Sequence, residues 1–330
     1  MNRKDDHIHF ALNRPVMDNA FDRMRLPYHS LPEMGVSDVH LSTHLFNRTF
    51  PTPLFINAMT GGSDQAKKIN YRLALLAKHF DLPMATGSLS AMFHNKDLKQ
   101  TFTVVRETNP HGFMIANLGA HHGLENAKKA IDVLKADAFE YHLNVPQELA
   151  MPEGDRSFEG WVDHIANAQK QLKIPLIVKE VGFGMSAETM QTLTNLGVRY
   201  INVGGRGGTN FSVIENQRSS TPFNGLNDVG YSTVESLLFA HHVPGPTYLA
   251  SGGIRSPLDV IKALVLGAKL VGMSHYFLQL VTEQTHEQAV ETFTHFLQEC
   301  KAIMVTMGVR DIGLLAKQPY FLDKTTLWTL

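Results

Sequence analysis

The chain holds one cysteine, Cys300, among 330 residues. An internal disulfide is thereby excluded, which fits a reducing compartment. Long apolar runs are also missing: none reaches the roughly eighteen residues that a membrane span needs. The opening "MNRKDDHIHF" has no apolar core of the secretory kind, so a cytoplasmic location is expected. Excess charge of one sign is absent too, with 30 basic against 31 acidic residues and a net charge of −1. Bulk attraction to nucleic acid or to an anionic membrane is therefore not expected, and any bound anion must be held by local groups. Nor is there a Pro/Ser-rich linker or a shift in composition, so residues 1–330 read as a single domain.

What is present is a repeat of short apolar segments, most followed by an amphipathic stretch of helical period. The segments lie at 54–57, 84–87, 113–119, 138–144, 176–182, 200–205, 247–253 and 270–274. Helical stretches include "QAKKINYRLALLAKHF", "LENAKKAIDVLKA", "SAETMQTLTNLG", "STVESLLFA" and "SPLDVIKALVLG". Strands alternating with helices imply parallel pairing, and eight units predict a (β/α)8 TIM barrel. An open doubly wound sheet is the alternative that the pattern leaves. Residues 1–40 form an N-terminal extension and the last forty hold a long C-terminal helix. The intervals 145–165 and 206–231, rich in Gly, Pro, Asn and Arg, are expected to be loops at the catalytic mouth.

In such barrels the reacting groups sit at the carboxyl ends of the strands. Those ends are polar here: "AMTGG" after the first strand, Ser88 after the second, Asn117 on the third, Lys179 on the fifth, then "GGRGGT", "SGGIRS" and Ser274. Glycines let backbone N–H groups approach a ligand, and a helix start adds free donors and positive dipole. Arg255, Thr209 and the amides of Gly253 and Ser274 are the expected phosphate donors. Each glycine pair could also be plain turn punctuation. A phosphate corner beside an inward lysine describes a pocket for a phosphorylated planar cofactor, and FMN fits best. Pairing of Lys179 with Glu180 is the competing reading, but consecutive strand residues face opposite ways.

The stretches "NRKDDHI", "INAMTGG", "TGS", "HLNVPQELAMPEG", "VKEVGFGMS", "GRGGTNFSVIENQR" and "SGGIRSPLDVIKALVLGAKLVGMS" resemble, in order, the motif set of the type 2, FMN-dependent isopentenyl-diphosphate isomerases. The resemblance implies interconversion of isopentenyl and dimethylallyl diphosphate by a 1,3-proton shift, with reduced FMN, Mg2+ and NADPH as reductant. It implies FMN contacts from Ala58, Met59, Thr60, Ser88, Asn117, Lys179, Thr209, Gly253, Ile254, Arg255, Ser274 and His275. It further implies substrate contacts from Arg3, Lys4, His7 and Gln147, a metal ligand in Glu148, and a homotetramer. One departure is Gly204, where such enzymes usually carry serine.

Within "HLNVPQE", His142 and Asn144 are two apart on a strand and so share a face, which a barrel turns inward. Pro146 is expected to break the ladder and lift Gln147 and Glu148 onto the rim. Glu148 is a hard oxygen ligand suited to Mg2+. His142 and Asn144 can donate to diphosphate oxygens, although a histidine satisfied within the core is the plainer reading of His142. Gln147 is too weak an acid or base to move a proton, which leaves orienting the alkene or a water. Two rivals share the barrel: a 2-hydroxy-acid oxidase, which needs a histidine base that "GGRGGT" does not supply, and a catalytically silent flavin-binding barrel.

Overall fold

The computed structural model describes residues 19–323. Eight parallel strands close into a barrel: β1 Leu54–Ile56, β2 Met84–Ala85, β3 Met114–Gly119, β4 Ala138–Leu143, β5 Leu176–Glu180, β6 Tyr200–Asn202, β7 Thr247–Ser251 and β8 Leu270–Met273. Each pairs with its sequence neighbours, and β8 returns to β1 through Val271 opposite Leu54. The closed barrel is thus the architecture, and the open sheet is excluded. All eight apolar segments became strands.

The helices follow from the same periodicity. Asp64–Phe80 buries Ala66, Ile69, Leu73, Ala74, Leu76 and Ala77 at helical spacing, begins where Ser63 Oγ accepts from Ala66 N, and ends at a left-handed Asp81. Ser256 caps Pro257–Val265, and Ser232 with Glu235 forms a capping box for Thr233–Ala240. The long C-terminal helix is His286–Thr306.

Alternation along the strands divides the apolar residues into two cores. Phe139 and Tyr141 of β4 face the helices, while Ala138 joins Phe55, Ala85, Ile115, Ile177, Leu249 and Leu270 inside the barrel. A hairpin, Thr43–Leu45 with Arg48–Phe50, supplies Leu45, Phe46 and Phe50 to this interior cluster. Phe46 stacks on Phe113 at 5.2 Å. One end of the barrel interior is therefore filled with apolar side chains, which leaves the carboxyl ends of the strands as the expected place for a ligand.

Both intervals expected as loops carry helix. Val145–Ala150 follows β4 directly, Trp161–Gln171 begins inside the first interval, and Phe211–Arg218 with the turn Asn224–Asp228 occupies the second. Pro146 lies in the first turn of its helix, where a missing N–H costs nothing and a fixed φ helps, so it starts a helix rather than ending order. After the long C-terminal helix, Phe321–Leu322 pairs with Met24–Arg25 and ties the two described ends together.

Candidate active site

Two adjoining cavities open at the carboxyl ends of the strands. The first is an open, glycine-rich cleft: Gly204, Gly205, Gly208, Gly252, Gly253 and Gly272 line it, with Asn57, Ala58, Met59, Thr60, Lys179, Thr209, Ile254, Ser274 and His275. Its glycines are required by contact. A Cβ on Gly252, whose φ is +90°, would lie 2.0 Å from the Gly205 carbonyl oxygen. A Cβ on Gly204, at φ +47°, would lie 1.9 Å from that of Glu180, so this backbone has no room for the serine side chain usual there. The helix His275–Glu283 starts at the cleft and adds a positive dipole end.

Polar groups are buried in this wall. Asn57 Oδ1 and Thr60 Oγ1 are buried and unpartnered, while Asn57 Nδ2 donates to Ser274 Oγ at 3.2 Å. Lys179 is 4% exposed and its Nζ donates to the Glu180 backbone oxygen at 3.0 Å. Burial pulls the Lys179 ammonium below the ordinary lysine range, against the opposing pull of Glu140 and Glu180. The Glu180 carboxyl is pushed up to about 8 by burial, although Phe183 N donates to it at 2.6 Å. Backbone donors, unsatisfied acceptors and one buried cation fit a polar, phosphorylated planar group such as FMN.

The second cavity shares Ala58, Met59, Lys179, Val181 and Phe211 with the first and adds Ser88, Ser90, His94, Asn117, His121, His142, Asn144, Gln147, Glu148, Glu153 and Asp155. Its wall is a side-chain network. Asn144 Nδ2 donates to Glu148 Oε1 at 2.7 Å and to Gln147 Oε1 at 3.2 Å. Glu148 Oε2 accepts from Asp155 N at 3.0 Å. Gln147 Nε2 reaches Glu215 Oε1 at 3.4 Å, and Glu215 is paired with Arg218 at 2.5 Å. The crowded polar residues of "HLNVPQE" thus largely satisfy one another, and Asn144 Oδ1 is left over.

Of the residues expected at FMN, Ala58, Met59, Thr60, Lys179, Thr209, Gly253, Ile254, Ser274 and His275 line the first cleft, and Ser88 and Asn117 line the second. Arg255 lines neither. Its guanidinium is held by Asp22 at 2.5 Å and Asp259 at 2.9 Å, so the side chain expected to grip a phosphate already has two carboxylates. Glu148 is 8% exposed, so it is sunk into the wall instead of standing on a rim. Among the described residues no group of three His, Cys, Asp or Glu could hold a metal. Glu148 alone fits the way Mg2+ is held, by one or two carboxylates with water and substrate phosphates completing the shell. Arg3, Lys4 and His7 lie outside the described residues.

Several site residues escaped the reading of the sequence. Glu215 sits in a helix where a loop was expected; it lies within the quoted stretch "GRGGTNFSVIENQR" but was given no role there. Asn19 clamps the two glycine mouths: its Nδ2 donates to Gly253 O at 2.6 Å, and Cβ atoms on Gly207 or Gly253 would come within 3.4 or 3.0 Å of its side chain. His121 and His122, with ring centres 4.2 Å apart, could have been noticed as an adjacent pair just past a strand. His122, bonded to Ser90, is pushed down to about 4 by burial and its histidine neighbours, which keeps it neutral near pH 7.

The fold and the glycine-walled cleft define a flavin-type barrel, and the family described as FMN-dependent dehydrogenase matches residues 93–320. Solved structures of mandelate oxidase share the fold: one variant with benzaldehyde superposes at a TM-score of 0.67 with 15% identity, over 97% of this chain and 94% of that one. Closer in sequence is the isopentenyl-diphosphate delta-isomerase of Latilactobacillus sakei subsp. sakei, 44% identical over 97% of this chain and 93% of its own. The proteins of that name from Staphylococcus epidermidis and Staphylococcus aureus are 43% and 42% identical, over 95% and 99% of this chain and 90% and 95% of theirs. The chain belongs to the FMN-dependent isopentenyl-diphosphate delta-isomerase family.

Proposed function

We propose that the protein interconverts isopentenyl and dimethylallyl diphosphate, with reduced FMN in the first cleft and the diphosphate and Mg2+ in the second. The observation that carries this reading is the shared wall: Ala58, Met59, Lys179, Val181 and Phe211 border both cavities, so a ring in one lies against an alkene in the other. Bound reduced FMN would supply an electron-rich face beside the carbon skeleton that becomes cationic on protonation, and Mg2+ would supply positive charge to the diphosphate.

The chain's own groups do the rest. Backbone amides of Gly208, Gly252 and Gly253, which line the first cleft, receive the cofactor phosphate. Lys179 stands at the shared wall, where its cation favours an anionic ring. Glu148 holds the metal, with its oxygens already oriented by Asn144 and by Asp155 N. Gln147, fixed between Asn144 and Glu215, orients the alkene or a water. Among the described residues no arginine lines the second cavity, whose cationic or titratable donors are Lys179, His94, His121 and His142. A diphosphate brings about three negative charges, so further cations are needed, and Arg3, Lys4 and His7 of the extension supply them.

The reading includes a single domain over 1–330, NADPH as reductant, a cytoplasmic location and a homotetramer. No described helix is long and apolar enough to cross a membrane. Against a 2-hydroxy-acid oxidase, the stretch after β6 has no histidine, and its Arg206 is engaged by Asp228. Anaerobic incubation of the purified protein with isopentenyl diphosphate, FMN, Mg2+ and NADPH tests the proposal. Dimethylallyl diphosphate should form only when FMN is reduced; oxidation of a 2-hydroxy acid instead would replace the reading.

A further inference from the structure

From the wall of the second cavity a line of polar side chains, Ser88, Ser90, His122 and Asn126, runs back into the protein, and only Ser88 was expected at a ligand. Ser90 opens the short helix Ser90–His94 and lines the cavity. Its Oγ is bonded to His122 Nε2, and Ser88 Oγ donates to it at 3.2 Å. His122 Nδ1 in turn lies 3.1 Å from Asn126 Nδ2. Asn126 belongs to the helix Leu124–Leu134, and His122 to the turn that joins β3 to that helix. The imidazole packs against Phe93, with ring centres 5.5 Å apart, and against His121.

We infer that His122 is a positioning residue that keeps the Ser90 hydroxyl hydrogen turned into the second cavity, where Ser90 donates to a phosphate oxygen of the substrate. An amide NH2 only donates, so Asn126 makes Nδ1 of the neutral ring the acceptor and leaves the ring hydrogen on Nε2. Burial, with His121, His94 and His164 adding to it, pushes His122 down to about 4, so the ring is neutral near pH 7. It therefore donates to Ser90 and cannot reverse that bond by titrating.

A hydroxyl has two acceptor sites and one hydrogen. His122 Nε2–H occupies one site and Ser88 the other, so Ser90 meets a ligand only as a donor. A phosphate oxygen only accepts, and a hydrogen bond to it is charge-assisted. An alkene offers no such acceptor, so the match places the diphosphate end of the substrate beside Ser90; this step rests on the isomerase reading. The other tautomer would reverse the polarity: a bare Nε2 would take the Ser90 hydrogen, and the hydroxyl would present lone pairs to an anion.

The test uses FMN-loaded, full-length protein labelled with 15N in histidine, near pH 7. The His122 resonances are assigned by their loss in His122→Phe, which keeps a ring against Phe93 and His121 but cannot donate. Wild-type His122 should carry its hydrogen on Nε2; hydrogen on Nδ1 overturns the inference without any variant. The second arm titrates inorganic pyrophosphate with Mg2+ into the same protein by calorimetry. Ser90→Ala should bind it about tenfold more weakly, the scale of one lost hydrogen bond to a charged group, and His122→Phe should lose somewhat less. His122→Gln, whose amide NH2 can still donate to Ser90, should recover most of the loss. Because His122 acts through Ser90, the double variant should bind no more weakly than Ser90→Ala. Additive losses, unchanged binding in Ser90→Ala, or an equal loss of FMN affinity would each overturn the inference. In turnover of isopentenyl diphosphate the loss should fall on KM rather than on kcat. If the wild type binds pyrophosphate as described yet does not isomerise, the isomerase reading fails while the role of Ser90 stands.

Discussion

The two cavities meet along one wall yet are built from different materials. The first is rich in glycine, and its glycine loops stack so closely that an added Cβ would meet neighbouring backbone. The second is made of side chains, each held by the next from Asn144 through Gln147 to Glu215. A backbone wall is fixed by sterics and tolerates almost no added atom. A side-chain wall is fixed by hydrogen bonds, so it keeps its shape under isosteric change and loses its chemistry.

The largest effects should therefore come from the smallest additions to the backbone wall. Gly252→Ala places a methyl 2.0 Å from Gly205 O at φ +90°, so the two glycine mouths must part. We expect FMN binding to fall below detection in a fluorescence titration, with a stability loss of about 3 kcal/mol or more in urea. Gly160→Ala is the control: φ is +82° but nothing lies within 4 Å, so only local strain of about 1 kcal/mol is expected and FMN should bind normally. Equal losses in both variants would show that strain, not loop contact, governs the cleft.

In the side-chain wall the matching experiment keeps the shape. Glu148→Gln should fold, bind FMN and lose about 10²-fold in Mg2+-dependent turnover, partly recovered at high Mg2+. Normal turnover at low Mg2+ would move the metal ligand elsewhere.

This contrast also governs what could be read in the sequence. The backbone wall was legible because glycine runs after apolar segments point to close approach, and the eight strands followed from their spacing. The pairing of Arg255 was only half legible for a physical reason: its partner Asp259 is visible at i+4, but Asp22 comes from more than two hundred residues away. The hairpin at 43–50 was not foreseen, since its strands are three residues each and its turn holds Phe46 and Asn47 at positive φ with no glycine to mark it. In the side-chain wall the residue types were visible in "HLNVPQE", but the burial of Glu148 and the part played by Glu215 depend on helices that Pro146 and the 206–231 composition disguised as loops.

A third experiment separates the walls by pH. The Glu180 carboxyl is raised to about 8 by burial, so its neutral form is favoured in the folded protein. A raised carboxyl contributes stability below the unfolded value near 4.5 that is lost as pH climbs toward 8. Glu180→Gln should therefore gain in Tm relative to wild type as pH goes from 5 to 8, because glutamine can still accept from Phe183 N without ionising. A Tm difference that does not change with pH would mean that Glu180 keeps its charge in the fold.

The mildest change tests whether the backbone wall depends on a single side chain. Asn19 is 2% exposed; its Nδ2 donates to Gly253 O and its Oδ1 accepts from Phe21 N at 3.1 Å. It thus ties this part of the N-terminal extension to the loop after β7, beside Gly207 of the loop after β6. Lys262 Nζ donates to Phe21 O at 2.7 Å, and Arg255 joins Asp22 to Asp259, so the segment is also pinned just after Asn19. Asn19→Ala removes one bond from each neighbour, at about 1–2 kcal/mol in all, without adding an atom to either glycine mouth. The expected result is roughly a tenfold loss of FMN affinity, while binding of inorganic pyrophosphate with Mg2+ in the second cavity, followed by calorimetry, changes less. Equal losses in both would mean that the two walls move as one body, and the contrast between them would then be one of composition alone.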